Sequence, residues 1–273
     1  MIRDAFRRFK HRRRLKHALA ETEARPAGPG RAHGLPSALI VSVTSHPPRF
    51  ATLAPTLRSL LRQTVQPDRV ILWLAEGDAA HLPPAIQDMA GLEIRTCPDW
   101  RSYKKIIPVL LAHPEAHLAT ADDDVHYPAD WLERLVAGLG KGGGIACLRA
   151  HRVAMAGPDR PAPYEDWDHN LRAPEAGPAV FPTGVSGVIY APGVFHPDVT
   201  REDLFTRLAP SADDVWLYWM HRMAGSQPRK IGGRARIFEW QGSQAVTLRA
   251  ANRQGQGNDR AIAALLAQYG WPG

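Results

Sequence analysis

His117-Leu-Ala-Thr-Ala-Asp-Asp-Asp-Val-His-Tyr-Pro-Ala-Asp-Trp-Leu132 is the stretch on which the reading of this chain turns. The apolar run Leu118 to Ala121 reads as the end of a buried strand, and it stops at three consecutive carboxylates, Asp122, Asp123 and Asp124. A helix is expected from about Pro128, with Trp131, Leu132, Leu135, Val136 and Leu139 on one face. In open α/β sheets, ligands collect beyond the carboxyl ends of the strands. Adjacent carboxylates repel one another unless a cation or hydrogen-bond donors offset the cost. A hard divalent ion such as Mg2+ takes carboxylate oxygens and keeps positions open for phosphates. Alternate residues of an extended segment point the same way, so Asp122 and Asp124 can face one ligand together. The same trio also suits a solvated loop beside a helix N-terminus, where the helix dipole favours negative charge.

Upstream, Ala38 to Thr44 is a nearly continuous apolar run, as expected of a central parallel strand. After the loop Ser45-His46-Pro47-Pro48-Arg49, Leu53, Leu57, Leu60 and Leu61 have helical spacing, and Arg69 to Ala75 reads as a second strand. This strand-helix-strand rhythm points to a parallel sheet. Glu76-Gly77-Asp78 closes the second strand, and Glu93 to Thr96 makes a short third one. The segment from Pro98 and Asp99 through Lys104 and Lys105 opens a helix with Ile106, Leu110 and Leu111 inward. A helix N-terminus with two lysines suits a diphosphate. The one GxGxxG match, Gly138 to Gly143, closes the helix expected from Pro128 instead of joining a strand to a helix, and no GxxxxGK[ST] pattern occurs, so neither a dinucleotide fingerprint nor a P-loop is supported.

Downstream, Gly144 to Arg149 reads as a strand, and the Pro- and Gly-rich residues 155–182 as a lid or binding loop holding Tyr164, Trp167 and Asp168. Phe181 to Tyr190 leads into another strand, its glycines permitting close backbone approach to a ligand. A helix follows with Ser211 as its expected N-cap and Val215, Trp216, Trp219, Met220 and Met223 inward. Asp213 and Asp214 complement the dipole of its first turn; equally, a carboxylate there can deprotonate an acceptor hydroxyl. Arg234 to Trp240 looks like a strand, residues 241–258 a mobile Gly/Gln/Asn stretch, and Asp259 to Tyr269 a last helix. Trp100, Trp167 and Trp240 are candidate sugar-stacking platforms. The histidines show no zinc-ligand spacing.

A chain of 273 residues suits one large α/β domain or two small ones. Two cysteines, Cys97 and Cys147, argue against a disulfide scaffold and fit a reducing compartment. No apolar run is long enough to span a bilayer, and the N-terminus lacks a secretory signal's uncharged core, so a cytoplasmic location is expected. The net charge of +7 lies in residues 1–19, where eight Lys and Arg residues face Asp4; the remainder is balanced. Residues 1–22 look helical, with Ile2, Phe6 and Phe9 among basic residues, and suit an anionic membrane surface. A frayed terminus or non-specific nucleic-acid attachment are the other readings of that arm; no nucleic-acid partner is expected. Residues 23–37 read as a Pro/Gly linker.

Ala-Asp-Asp-Asp-Val-His-Tyr-Pro followed by Asp-Trp-Leu resembles the DXD region of GT-A glycosyltransferases, especially family 2-like bacterial sugar transferases, over about residues 38–260. The resemblance implies a GT-A, nucleotide-diphospho-sugar transferase-like α/β fold with a mainly parallel central sheet flanked by helices. It divides the chain into a basic arm and linker, 1–36, and one catalytic domain, 37–273. It implies Mn2+ or Mg2+ on Asp124 and Asp122, with Asp122 and Asp123 as ribose or metal contacts. Thr44, at the first strand's exit, touches the nucleotide in this reading. Asp78 accepts from the nucleobase, Asp99 and Lys105 face the nucleotide with Lys104 behind them, and the Gly184 segment lies where donor sugar meets acceptor. Asp214 is matched to the catalytic base with Asp213 in support, while Asn252, Asn258 and Asp259 belong to a tail folding over the nucleotide. The partners implied are a nucleoside-diphosphate sugar and a saccharide or lipid-linked acceptor, with inversion, for cell-surface polysaccharide synthesis at the inner face of the cytoplasmic membrane. A non-catalytic nucleotide-sugar or carbohydrate-binding protein is the alternative. A nucleotidyltransferase fits less well, because Ser45 to Arg49 replaces the glycine-rich loop such enzymes carry.

Overall fold

The computed structural model describes residues 2–25, 30–140, 144–240 and 257–273, with side chains from residue 9 onward. Asn252, the rest of 241–256, linker residues Pro26, Gly28 and Pro29, and the side chains of Ile2 and Phe6 lie outside the described residues. Ten strands carry the argument: β1 Leu39–Thr44, β2 Arg69–Ala75, β3 Leu92–Cys97, β4 His117–Ala121, β5 Ile145–Cys147, β6 Ala150–Arg152, β7 Glu175–Ala176, β8 Val180–Pro182, β9 Val188–Tyr190 and β10 Pro228–Lys230. The helices used below are α1 Ile2–Ala24, α2 Phe50–Leu61, α3 Ile107–Ala112, α4 Trp131–Leu139, α5 Glu202–Leu208, α6 Asp213–Met223 and α7 Gly257–Tyr269; a single turn, Pro84–Gln87, lies between β2 and β3.

Eight strands form one sheet in the order β7-β10-β5-β9-β4-β1-β2-β3. β4, β1, β2 and β3 are parallel, in a register that sets Leu39 opposite His117 and Thr44 opposite Trp73. β9 runs antiparallel between β4 and β5, and β10 is parallel to β5. β1, β2 and β4 are buried on both faces, so their sequences are mostly apolar and successive residues feed two different cores, whereas the edge strand β3 is only partly buried and carries Glu93 and Arg95. Leu39, Val41 and Val43 meet Leu53, Leu57 and Leu60 of α2 and Leu132 and Leu135 of α4. Ile40, Ile71 and Trp73 meet Ile106, Ile107 and Val109 and the buried faces of α5, α6 and α7. The result is three layers with the ends of β1 to β4 open at one edge. β6 and β8 make a separate antiparallel ribbon at that edge.

Several expectations are corrected. Arg234 to Trp240 is not a strand; only Glu239 pairs, in an isolated bridge with Val125. The outer edge of β10 is taken by β7, so this segment instead follows the loop after β4. There the His126 N–H donates to the Phe238 carbonyl at 3.0 Å and the Trp240 N–H to the Asp124 carbonyl at 2.9 Å. The helix expected after Asp99 begins as a 3-10 turn, Arg101–Lys105, and α3 restarts behind it with Pro108 in its first turn. That break changes the helical phase and leaves Leu111 57% exposed. Ala212, not Ser211, caps α6, with no side-chain hydrogen bond. α4 begins at Trp131. Residues 155–182 contain β7, β8 and a short Met155–Gly157/Arg160–Pro161 hairpin.

Candidate active site

The acidic trio sits just past β4, beside the exit of β1. Protein cations and hydrogen-bond donors offset its charges. The Ser45 hydroxyl donates to Asp123 Oδ2 at 2.6 Å. Arg49 Nη1 lies 3.0 Å from Asp123 Oδ1 and 2.6 Å from Asp124 Oδ2. The Thr56 hydroxyl, from α2, bonds the carbonyls of Asp123 and Val125 at 3.0 and 2.9 Å, and the Asp122 N–H donates to the Tyr127 hydroxyl at 2.7 Å. Burial pushes the Asp123 carboxyl up to about 6, against the pull of Arg49 and Ser45.

Lys105 links the trio to the start of α6. Its Nζ is 2.9 Å from Asp122 Oδ1 and 3.4 Å from Asp213 Oδ2, and its side chain is buried. Burial opposes that charge, but Asp122, Asp213 and Asp214 more than offset it and hold the ammonium well above its ordinary range. Asp214 Oδ1 accepts from the Gly184 N–H at 2.9 Å. Burial, reinforced by the charge of Asp213, pushes the Asp214 carboxyl up to about 7, while Lys105 pulls it down. A Cβ at Gly184 would stand 2.9 Å from Lys105 Nζ and 3.2 Å from Asp214 Oδ1, so any side chain there would displace these two groups.

These groups open on one cavity of about 680 Å3, lined also by Thr44, Asp78, Asp99, Lys104 and Asn258. Thr44 donates its hydroxyl to the Trp73 carbonyl at 2.8 Å. Asp78 follows Gly77, whose φ of 90° turns the chain out of β2. Lys104 is buried with its Nζ 2.6 Å from Asp99 Oδ1, and that contact, ahead of the backbone N–H of Arg101, holds the Asp99 carboxyl below its usual range. Four parallel strands in the order β4-β1-β2-β3, an antiparallel β9 beside β4, and acidic groups at their shared edge decide the architecture. The chain has an α/β fold with a mainly parallel central sheet flanked by helices. No family model matches it, and no curated protein sequence matches it at a significant level. Solved structures that are similar to it include S. aureus TarS 1-349, at 10% identity over 84% of this chain and 72% of that one, with a TM-score of 0.47. Another is the mannosyltransferase PcManGT from Pyrobaculum calidifontis in complex with GDP-Man and Mn2+, at 12% identity over 95% of this chain and 83% of that one, with a TM-score of 0.42.

The cavity also takes residues that the sequence had not singled out. Arg49 and Ser45 were legible only as part of a loop; their signal was a cation and a hydroxyl at the exit of the first strand. Arg149, just before β6, with His151 and His169 forms a second wall of the cavity, beside Tyr164 of the loop expected to bind. His151 Nδ1 accepts from the Asn170 N–H at 3.0 Å, and burial lowers that imidazole to about 3, leaving it neutral. Other expectations fall outside. Trp167 and Trp240 are buried in packing, Trp100 stands edge-on to Phe205, and none of the three lines the cavity. Asp259 accepts the Tyr164 N–H at 2.8 Å and is not among the lining residues.

Among the described residues, no three His, Cys, Asp or Glu groups converge as a closed cation cage. A catalytic Mg2+ needs less than that, because one or two carboxylates and the substrate's phosphates complete its shell. Asp122 and Asp124 both reach the cavity and are the carboxylates that could hold such an ion, with Lys105 and Arg49 contacting an oxygen of each.

Proposed function

We propose that the protein is a glycosyltransferase moving a sugar from a nucleoside-diphosphate sugar to a hydroxyl of a saccharide or glycolipid acceptor, with inversion, in cell-surface polysaccharide biosynthesis. The observation that carries this reading is the connection of Asp214 to Asp122 through Lys105 within one cavity. Sugar transfer needs a proton-accepting group for the acceptor hydroxyl and a binding place for the departing diphosphate around one reacting carbon, and the presence of Asp214 and the acidic trio in one cavity supports that reading. The nucleotide would lie along the strand ends, with Thr44, Asp78 and Asp99 toward base and ribose. Asp122 and Asp124 would hold Mn2+ or Mg2+, which neutralises charge on the departing diphosphate. Arg49 and Lys104 add fixed positive charge beside it.

Asp214 takes the proton of the acceptor hydroxyl as its oxygen attacks the anomeric carbon. The Gly184 N–H fixes one carboxylate oxygen, so the other faces the proton. Asp213 shares Lys105 and keeps that ammonium in place. Residues 37–273 form the catalytic unit in this reading, and the basic arm brings it to the inner face of the cytoplasmic membrane. No described helix is long and apolar enough to cross a membrane.

The test is nucleoside diphosphate release across a panel of nucleotide sugars with and without Mn2+. Asp214→Asn is expected to lower sugar transfer at least a hundredfold while donor binding stays near wild type. Saturable donor binding with no diphosphate release from the wild type, with any acceptor, would favour a binding protein on this scaffold. Transfer by Asp214→Asn at the wild-type rate would remove Asp214 from the mechanism.

A further inference from the structure

Behind the loop that follows β4 lies a second cavity of about 260 Å3. Its floor is apolar, built by the buried side chains of Val125, Tyr127, Trp131 and Leu148. Arg134 of α4, Arg234 and Arg236 line it, and all three are exposed residues. No Asp or Glu lines this cavity, and none of the three arginines forms an ion pair among the described residues. In the segments whose side chains are not described, 1–8, 26–29, 141–143 and 241–256, Asp4 is the one Asp or Glu in the sequence.

The bend presenting two of these arginines is fixed from below. Lys230 is fully buried, and its ammonium donates to the carbonyls of Ile231 at 3.0 Å, Gly232 at 2.5 Å and Gly233. Arg134 Nη2 would lie 3.2 Å from a Cβ at Gly232, so its guanidinium rests on that bend. α1 is fastened to the same loop: the Thr22 hydroxyl pairs with His126 Nε2 at 3.0 Å, and His126 lines the cavity. Three guanidiniums over an apolar floor match an amphiphile whose head is a phosphate. Guanidinium forks bind phosphate oxygens bidentately, and an aliphatic chain gains from leaving water against Trp131 and Leu148.

We propose that this cavity binds the phosphate head of an anionic membrane lipid, with the start of the lipid's chain against the apolar floor. It goes beyond the glycosyltransferase reading and needs no turnover. The experiment is co-sedimentation of the full chain with phosphatidylcholine vesicles, with and without phosphatidylglycerol as about one-third of the lipid. A triple Arg134→Gln, Arg234→Gln, Arg236→Gln variant is compared with Arg160→Gln, Arg207→Gln, Arg229→Gln, which removes equal charge from exposed sites elsewhere. The first triple is expected to weaken binding to the anionic vesicles at least tenfold more than the second, with unchanged melting temperature. The single charge reversal Arg234→Glu serves as a second variant and is expected to act in the same direction. Equal losses in the two triples, absent binding by the wild type, or displacement of the vesicles by millimolar inorganic phosphate would each overturn the proposal. Sugar transfer, assayed separately, tells failure of this inference from failure of the enzymatic one.

Discussion

At the scale of single residues, the site is governed by one ammonium shared among carboxylates. Without Lys105, Asp122, Asp213 and Asp214 would face one another in a buried space, and some would hold protons at neutral pH. With it, Asp213 and Asp122 have a counter-charge, and Asp214 is left with a carboxyl raised to about 7. The sign for catalysis follows: only the ionised carboxylate accepts a proton, and ionisation is lost as pH falls through a raised pKa. We therefore expect kcat/KM to fall about tenfold per pH unit below about 7 and to level off above it. A pH–rate profile measures this; a profile flat from about pH 5 to 8 would sink the assignment of Asp214 as base. Gly184→Ala probes the same geometry from the backbone. The added methyl pushes on Lys105 Nζ and Asp214 Oδ1, which are side-chain ends able to yield, so the fold survives while the carboxylate leaves its hydrogen bond. The expected result is a melting temperature within a few degrees of wild type and a turnover lower by about a hundredfold, the loss that misplacing a reacting group by about 1 Å causes.

At the scale of elements, the long periodic pieces were legible and the short irregular ones were not. β1, β2 and β4 announce themselves because strands buried on both faces need unbroken apolar runs. α2, α4 and α6 are legible because a single apolar stripe must face a core. The aspartates of the site were readable for the same reason: they stand at ends of elements that could be placed. Arg49, Arg149 and His151 were not, because their value comes from partners 74, 34 and 19 residues away, which no local period encodes. Arg234 to Trp240 misled because its residues alternate like a strand's while the edge it needed was occupied by β7. The antiparallel β9 was foreseen only as a strand after a glycine segment, and Gly187 shows what the glycines do. Its φ is 95°, and a Cβ there would stand 2.5 Å from Trp131 Nε1, whose indole donates to the Ser186 carbonyl at 2.8 Å. Ring and backbone are both fixed, so neither yields. Gly187→Ala is expected to cost about 2–5 kcal/mol, combining left-handed strain with overpacking. A denaturant melt measures the loss, and a cost below about 0.5 kcal/mol would mean that Trp131 has room to move.

At the scale of the whole molecule, charge is divided between a balanced body and a cationic helix. α1 buries Leu15, Ala18 and Thr22 against the body, and its His11 contacts the Glu239 carbonyl at 3.1 Å. With that stripe used, Lys10, Arg12, Arg13, Arg14 and Lys16 remain outside together with Phe9, which is 63% exposed. A docked helix carrying exposed cations behaves differently from a free tail, because it presents its charges at fixed positions relative to the cavity edge formed by Glu239. Each basic residue near an anionic leaflet contributes about 1 kcal/mol, so replacing Arg12, Arg13 and Arg14 by Gln should weaken vesicle binding by about 3 kcal/mol, roughly a hundredfold. Because the effect is electrostatic, the gap between wild type and variant should shrink as salt rises from about 0.1 M, where charges act over about 10 Å, to about 1 M, where they act over about 3 Å. The lipid cavity is expected to respond otherwise, since its arginines work with an apolar floor and part of that binding survives high salt. Vesicle titrations at both salt concentrations separate the two. If the helix variant keeps its deficit at high salt, the basic helix holds the membrane by something other than charge.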